Sequence, residues 1–314
     1  MELAGNGFSL TAEVVFMEWL QAHIGEGAMR LVSAFSMFGE EMLLVLLLGF
    51  IYWCWDKKMG RFVGLNMLMT VVWNPMIKNI FIRRRPYFDH ENIRILRPVD
   101  PKSDIYDISA QGYSFPSGHS ANAVSAYGSI AVYEKQSSRQ GGRSYRYPAA
   151  AAAVLSFLVG FSRIAVGAHY PTDVLGGWLL GLLIIFAVPA LCRKVTDRKL
   201  LTVILLALTL PGLIWCRSED YFSGLGLFLG FLAGSAFEDR YVRFENTRRF
   251  LPSLLRLVLG LALFLALNAV LKLPFSKEFL DSGVYAALLV RCARYAVVSF
   301  IEFGVYPFLF RWIK

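Results

Sequence analysis

The apolar residues of this chain fall in runs too long for an ordinary soluble core. Blocks at approximately 31–55, 61–82, 118–134, 147–167, 172–192, 199–216, 221–237, 251–272 and 284–310 approach or exceed the length that crosses a bilayer as a helix. Backbone groups in hydrocarbon must be satisfied within the structure, which a continuous helix does. The expected fold is therefore all-α: a polytopic membrane helix bundle of about nine transmembrane helices. The sixth and seventh blocks sit near the lower length limit, and the ninth is long enough to tilt or to break at Pro307. Composition agrees, with 56% hydrophobic residues and a mean hydropathy of +0.50.

Residues 1–30 form a separate amphipathic segment. Phe8, Val14, Val15, Phe16, Trp19 and Leu20 alternate with Glu13, Glu18 and Gln21. That pattern fits a helix at the membrane interface, or equally a cap packed on the bundle. No basic stretch, apolar run and small-residue cleavage site open the chain, so a cleaved signal peptide is not expected. Cys54, Cys192, Cys216 and Cys292 lie in or beside apolar blocks without CxxC spacing, and read as packing residues.

The net charge of +9 would fit nucleic acid in a soluble protein. Here the cations lie at span ends and in polar loops, so topology and anion binding account for them and no nucleic-acid partner is expected. With the N-terminus outside, the inside loops carry Lys57, Lys58 and Arg61; Lys135, Arg139, Arg143 and Arg146; Arg193, Lys194, Arg198 and Lys199; Arg240, Arg243, Arg248 and Arg249; and Arg311 and Lys314. Apart from the polar loop between the second and third spans, the outside loops hold Arg217, Lys272 and Lys277.

Three polar stretches interrupt this pattern, all on the expected outer side. The first is Lys78, six residues, then Arg85-Pro86. A seven-residue separation is two turns on one helix face, roughly 10 Å along the axis. Lys78 lies among apolar residues, where an ammonium needs an anion. Arg83 and Arg84 read as snorkelling cations at the span end. The second stretch is Pro116-Ser117-Gly118-His119 at the start of the third block. N–H groups at a helix N-terminus suit an anion; Ser117 adds a hydroxyl, Gly118 permits close approach, and His119 can exchange a proton. The third is Ser162-Arg163, five residues, His169, three residues, Asp173. Pro171 suits a first helical turn, and Asp173 in that turn can hold one ring nitrogen of His169, leaving the other free to attack. His23 and His90 read as non-catalytic.

Together the three stretches resemble the tripartite signature of the type 2 phosphatidic acid phosphatase superfamily, with every motif position matched from Lys78 to Asp173. The resemblance implies a catalytic membrane core over 31–216, with six spans, and a three-span extension over 217–314. It implies that His169 is the nucleophile and forms a phosphohistidine, and that His119 is the general acid. Lys78, Arg85, Ser117, Gly118 and Arg163 would then hold the phosphate. No carboxylate-rich cluster lies near the motifs, so neither metal nor other cofactor is expected. The implied substrate is a membrane lipid phosphate monoester or diphosphate, cleaved at the outer face of a bacterial cytoplasmic membrane, or in the endoplasmic-reticulum lumen of a eukaryote. The nine-span plan also resembles the glucose-6-phosphatase and sphingosine-phosphate phosphatase branches. A soluble sugar phosphate as substrate, and a lipid or ion transporter built on the additional spans, are the alternatives.

Glu40 and Glu41 interrupt the first span on its outer side, and one of them is expected to border the cleft. Arg291, Arg294 and Glu302 in the ninth span would form an internal ion-pair network or belong to a separate pocket.

Overall fold

A computed structural model describes residues 5–138 and 144–313. Arg139, Arg143 and Lys314, counted above among the inside cations, lie outside the described residues. The helices in chain order are α1 (Thr11–His23), α2 (Glu26–Ala34), α3 (Glu41–Phe50), α4 (Lys57–Phe81), α5 (Pro86–Asp89), α6 (Ile108–Gln111), α7 (Gly118–Ser138) and α8 (Arg146–Ala165). They continue with α9 (Pro171–Lys194), α10 (Arg198–Thr209), α11 (Gly212–Trp215), α12 (Glu219–Phe237), α13 (Phe250–Val270), α14 (Lys277–Leu280) and α15 (Tyr285–Phe300). Among the described residues there is no strand, only an isolated bridge between Asn6 and Arg83.

Among the described residues, five helical stretches are long and apolar enough to cross a membrane: Arg146–Ala165, Pro171–Lys194, Arg198–Trp215, Glu219–Val242 and Phe250–Val270. A sixth is reached if Glu26–Gly39 and Glu41–Trp55, bent by 52° against each other, count as one broken span. The other blocks of the expected nine are helical but more polar. α4 carries Lys57, Lys58, Arg61, Asn66, Asn74 and Lys78, α7 is rich in Ser, Ala and Gly, and the last block holds Arg291, Arg294 and Glu302. The protein is thus an integral-membrane helical protein with, among the described residues, five to six helical stretches apolar enough to span; nine remains the reading of the sequence.

The chain divides into two compact units. Unit 1 comprises Met1–Glu41 and Met76–Phe186; unit 2 comprises Met42–Pro75 and Ala187–Lys314. In unit 1, Met17, Leu20, Ile93, Ile164, Ala165, Tyr170 and Val174 form one buried cluster. α1 therefore packs one face onto this unit, while Phe8, Val15, Phe16 and Trp19 stay exposed. α7 meets α9 through small residues. A Cβ at Gly177 would lie 2.5 Å from the Ser117 carbonyl oxygen, so only glycine lets the start of α7 sit this close.

In unit 2, α12 presents Gly226, Gly230 and Gly234 at four-residue spacing to the last helical block. A Cβ at Gly226 or Gly230 would come within 2.2 Å of the Cys292 or Ala296 carbonyl. This close approach is how membrane helices gain packing contacts without a hydrophobic drive between them. Glu238, fully buried, pairs with Lys57 at 2.9 Å and with Arg61. Among the described residues the anticipated ion-pair network in the last block does not form: Arg291 pairs with Glu219 at 2.5 Å, while Arg294 donates to Asn268 Oδ1 at 2.8 Å. The Glu302 carboxyl has no hydrogen-bond partner among the described residues. Arg291 and Arg294 thus turn to different partners, and neither reaches Glu302.

Candidate active site

The three polar stretches converge within unit 1. The turn between α8 and α9 carries His169. Gly167 takes φ +76° there, and a Cβ on it would lie 2.3 Å from the Arg94 carbonyl oxygen. This tight turn returns the chain onto α8, where the His169 N–H donates to the Arg163 carbonyl at 3.2 Å. Arg163 and His169 are both almost fully buried.

His169 stands between a carboxylate and a guanidinium. Its Nδ1 is 3.6 Å from Asp173 Oδ2, an ion-pair distance rather than a hydrogen bond. Its Nε2 is 3.3 Å from Arg85 Nη1. Burial, followed by the positive charges of Arg85, Arg163 and Lys78 and by His119, holds the His169 imidazole well below its ordinary pKa. The ring is therefore neutral at physiological pH, as a nucleophilic nitrogen must be.

Arg85 is oriented by backbone carbonyls. Its Nε donates to Gln111 O at 2.9 Å and Gly112 O at 3.0 Å, and its Nη1 to Ala168 O at 3.0 Å. The route from Lys78 to Arg85 differs from the expected two helical turns. α4 ends at Phe81; Ile82 adopts φ +42°, and residues 83–85 run extended past Asn6. The local sequence gives no sign of this reversal, because a β-branched residue rarely takes positive φ. Lys78, in the last turn of α4, still lies close enough to act electrostatically on both motif histidines.

Arg163 donates from Nη1 to Ser36 Oγ at 3.3 Å, and its Nε has no acceptor among the described residues. The second stretch adjoins the third through the backbone: the Ser117 N–H donates to the Asp173 carbonyl at 2.9 Å. The Ser117 hydroxyl accepts from Ser120 Oγ at 2.9 Å and from the Ser120 N–H at 3.4 Å, capping α7. Gly118 and His119 open α7, so their N–H groups have no intrahelical acceptor. The charges of Arg163, Lys78, Arg85 and Arg97 all reach the His119 ring.

Arg97 was not singled out by spacing, since it belongs to a long, irregular, charged loop. It pairs with Glu40 and donates from Nη1 to Ser33 O at 3.0 Å. Both members of the pair act electrostatically on Arg163; Glu41 opens α3. His90 packs edge-on against Tyr170, and His23 bonds the Trp19 carbonyl, so neither joins the motif histidines.

Arg83 corrects the sequence reading. Far from snorkelling, it is 4% exposed. Its Nη1 donates to Asp173 Oδ1 at 2.8 Å and to Thr172 Oγ1 at 2.7 Å, its Nε donates to Phe8 O at 2.8 Å, and its guanidinium lies 4.1 Å from the Tyr170 ring centroid. Thr172 Oγ1 donates in turn to Glu13 at 2.9 Å, and Glu13 Oε2 is 3.4 Å from Arg83 Nη2. Asp173 Oδ2 accepts the Tyr170 N–H at 2.8 Å. The carboxylate beside His169 is thus fixed by α1 and by the turn after α4. Neither signal was visible in advance: Arg83 is one of three successive arginines, and Glu13 looks like any acid on an amphipathic helix. Arg84 pairs with Asp89 at 2.7 Å. Among the described residues no group of three or more His, Cys, Asp or Glu is placed to hold a metal ion, and the four cysteines are free thiols.

The site is a buried imidazole and a second, half-buried imidazole within a field of four cations, with one carboxylate behind the first. It is suited to a tetrahedral oxyanion. The sequence profile of the PAP2 superfamily matches residues 60–197, and that of the PAP2 superfamily phosphatase transmembrane extension matches residues 222–314. Phosphatidylglycerophosphatase B of Bacillus subtilis is 39% identical over 88 residues, 28% of this chain and 43% of that protein. Undecaprenyl-diphosphatase BcrC of Bacillus subtilis is 30% identical over 131 residues, 42% of this chain and 56% of that protein. The chain thus spans about half the length of these relatives. A crystal structure of a transmembrane PAP2 type phosphatidylglycerolphosphate phosphatase from Bacillus subtilis aligns with TM-score 0.45 and 26% identity, covering 60% of this chain and 88% of that one.

Proposed function

The chain belongs to the PAP2 superfamily, and we propose that it hydrolyses a phosphate monoester or diphosphate of a membrane lipid through a phosphohistidine on His169. The observation that carries this reading is the placement of His169. Its Nε2 faces the Arg85 guanidinium, and its Nδ1 faces a carboxylate that Arg83 and the Tyr170 N–H hold in place.

In the first step Nε2 attacks phosphorus. The new N–P bond forms as the P–O bond to the lipid breaks, and His119, which carries a proton once the bound phosphate anion offsets the surrounding cations, gives it to the leaving oxygen. The Nδ1–H of the attacking ring turns toward Asp173, which stabilises the positive charge that develops; the 3.6 Å separation shortens as that charge appears. Lys78, Arg85 and Arg163, with the N–H groups of Gly118 and His119, bind the equatorial oxygens. In the second step His119 takes a proton from water, the hydroxide attacks phosphorus, the N–P bond breaks, and phosphate leaves. This chemistry needs two imidazoles and positive charge, and no metal.

A lipid substrate is favoured by the apolar spans and by the two relatives, whose names specify lipid phosphates. Arg97 supplies a fourth cation, which suits the second phosphate of a diphosphate. The loop-charge bias supports a site on the extracytoplasmic face, with the N-terminus outside.

The test is phosphate release from purified protein in detergent, over phosphatidate, phosphatidylglycerol phosphate, undecaprenyl diphosphate and glucose 6-phosphate. Turnover of a lipid phosphate that persists in EDTA is expected. His169→Ala and His119→Ala should each lose well over tenfold, at least about 1.4 kcal/mol of barrier. Preference for glucose 6-phosphate would replace the substrate assignment, and magnesium-dependent turnover indifferent to His169 would end the mechanism.

A further inference from the structure

A second concentration of positive charge lies in unit 2. A cavity of about 740 Å³ is bounded by the loop between α12 and α13, by α13 itself and by the last turn of the chain. Arg243, Arg249, Arg256 and Arg311 line it, against one carboxylate, Glu245. None of the four arginines is ion-paired among the described residues. Glu238, the buried acid of the neighbouring turn, is already engaged by Lys57 and Arg61.

Arg256 is the informative member. It is 3% exposed and has only neutral acceptors. Its Nη1 donates to Trp53 O at 2.8 Å and Glu245 O at 3.0 Å, and its Nη2 to Ile313 O at 3.0 Å. The guanidinium carbon lies 4.2 Å from the Phe310 ring centroid, and Nε has no acceptor among the described residues. A membrane-topology signal requires only exposed cations at span ends. It does not account for a guanidinium buried without a carboxylate, which is costly unless an anion compensates it. Arg243 shapes the rim through its backbone. It takes the left-handed conformation, φ +51°, uncommon outside glycine, so the chain turns sharply at the rim of the cavity.

We propose that this cavity binds a phosphate-bearing anion, with Arg256 at its base and Arg243, Arg249 and Arg311 at its rim. Guanidinium forks match phosphate oxygens in pairs. Basic pockets between transmembrane helices are suited to anionic lipid headgroups, and Pro307 and Phe308 give this one an apolar wall for the start of an acyl chain. A free phosphate ion has the same chemistry without that tail. The inference is independent of the hydrolytic chemistry assigned to unit 1.

The test uses the full-length protein in detergent micelles and calorimetric titration with three probes: dioctanoylphosphatidylglycerol, inorganic phosphate and zwitterionic dioctanoylphosphatidylcholine. The double variant Arg249→Gln/Arg311→Gln changes only exposed rim residues, and its size-exclusion profile is checked against wild type. The motif residues are the same in both proteins, so the arginine-dependent part of the binding reports this cavity. Phosphatidylglycerol is expected to bind at least tenfold more weakly to the double variant, and phosphatidylcholine to show no arginine-dependent binding. Arginine-dependent binding of inorganic phosphate as tight as that of the lipid would identify the free ion as the occupant. Isotherms for both anionic probes that are the same in variant and wild type would overturn the proposal.

Discussion

At the scale of single residues, the account turns on the charge state of one ring. His169 is buried and surrounded by Arg85, Arg163 and Lys78, all of which disfavour its protonation. Its neutral form therefore persists as pH falls below the ordinary imidazole range, and is lost only when pH drops through the depressed value. A bound phosphate anion offsets those cations and moves the titration upward. In micelles of protein carrying 13C-labelled histidine, the ring signal assigned through His169→Gln should still be neutral at pH 6, and should titrate at higher pH once vanadate or phosphate is added. A His169 ring already protonated at pH 7 without an anion would contradict the electrostatic picture. Lys78, Arg85, Ser117, Gly118, His119, Arg163, His169 and Asp173 stood out in the sequence because they fall in the register of a family signature, and all of them lie in one unit. Arg97 was not legible, because no periodicity constrains the loop that carries it.

At the scale of elements, the support of Asp173 was the part hidden from sequence. α1 reads as an amphipathic helix whichever surface it covers, and only the folded chain shows Glu13 reaching Thr172 while Arg83 reaches Asp173. Helix α4 likewise hides its end: the turn at Ile82 is set by the pairing of residues 82 and 84 with Asn6, a contact some 75 residues away in sequence. Removing one partner of a buried ion pair leaves the other uncompensated, at about 3–5 kcal/mol. Arg83→Met should therefore lower stability by an amount of that order and reduce kcat far more than it changes KM, since Arg83 positions Asp173 rather than the substrate. Glu13→Gln, which keeps the hydrogen-bonding shape, should be milder. A double-mutant cycle in which the two effects simply add would show that α1 and Arg83 do not act as one network.

At the scale of the whole molecule, the helical class and the membrane setting follow from the apolar blocks, whereas their number does not. Blocks such as 61–82 and 118–134 carry the polar residues that chemistry and close packing require, and so blur the hydropathy signal. The grouping of the chain was equally out of reach. The last three predicted spans share a unit with residues 42–75, through the Tyr52, Trp53 and Phe303 aromatic contacts and the Glu238 pairs with Lys57 and Arg61. A chain ending at Cys216 should consequently fail to give a monodisperse peak by fluorescence-detected size exclusion in detergent; a well-behaved, active truncation would show that 217–314 is dispensable. The most direct test of the central claim is to mix full-length protein with 32P-labelled lipid phosphate, quench it rapidly and map the label. The account predicts an acid-labile, base-stable phosphoenzyme on His169 that is absent from His169→Ala. A turnover-competent enzyme with no label on His169, or with the label on another residue, would contradict it.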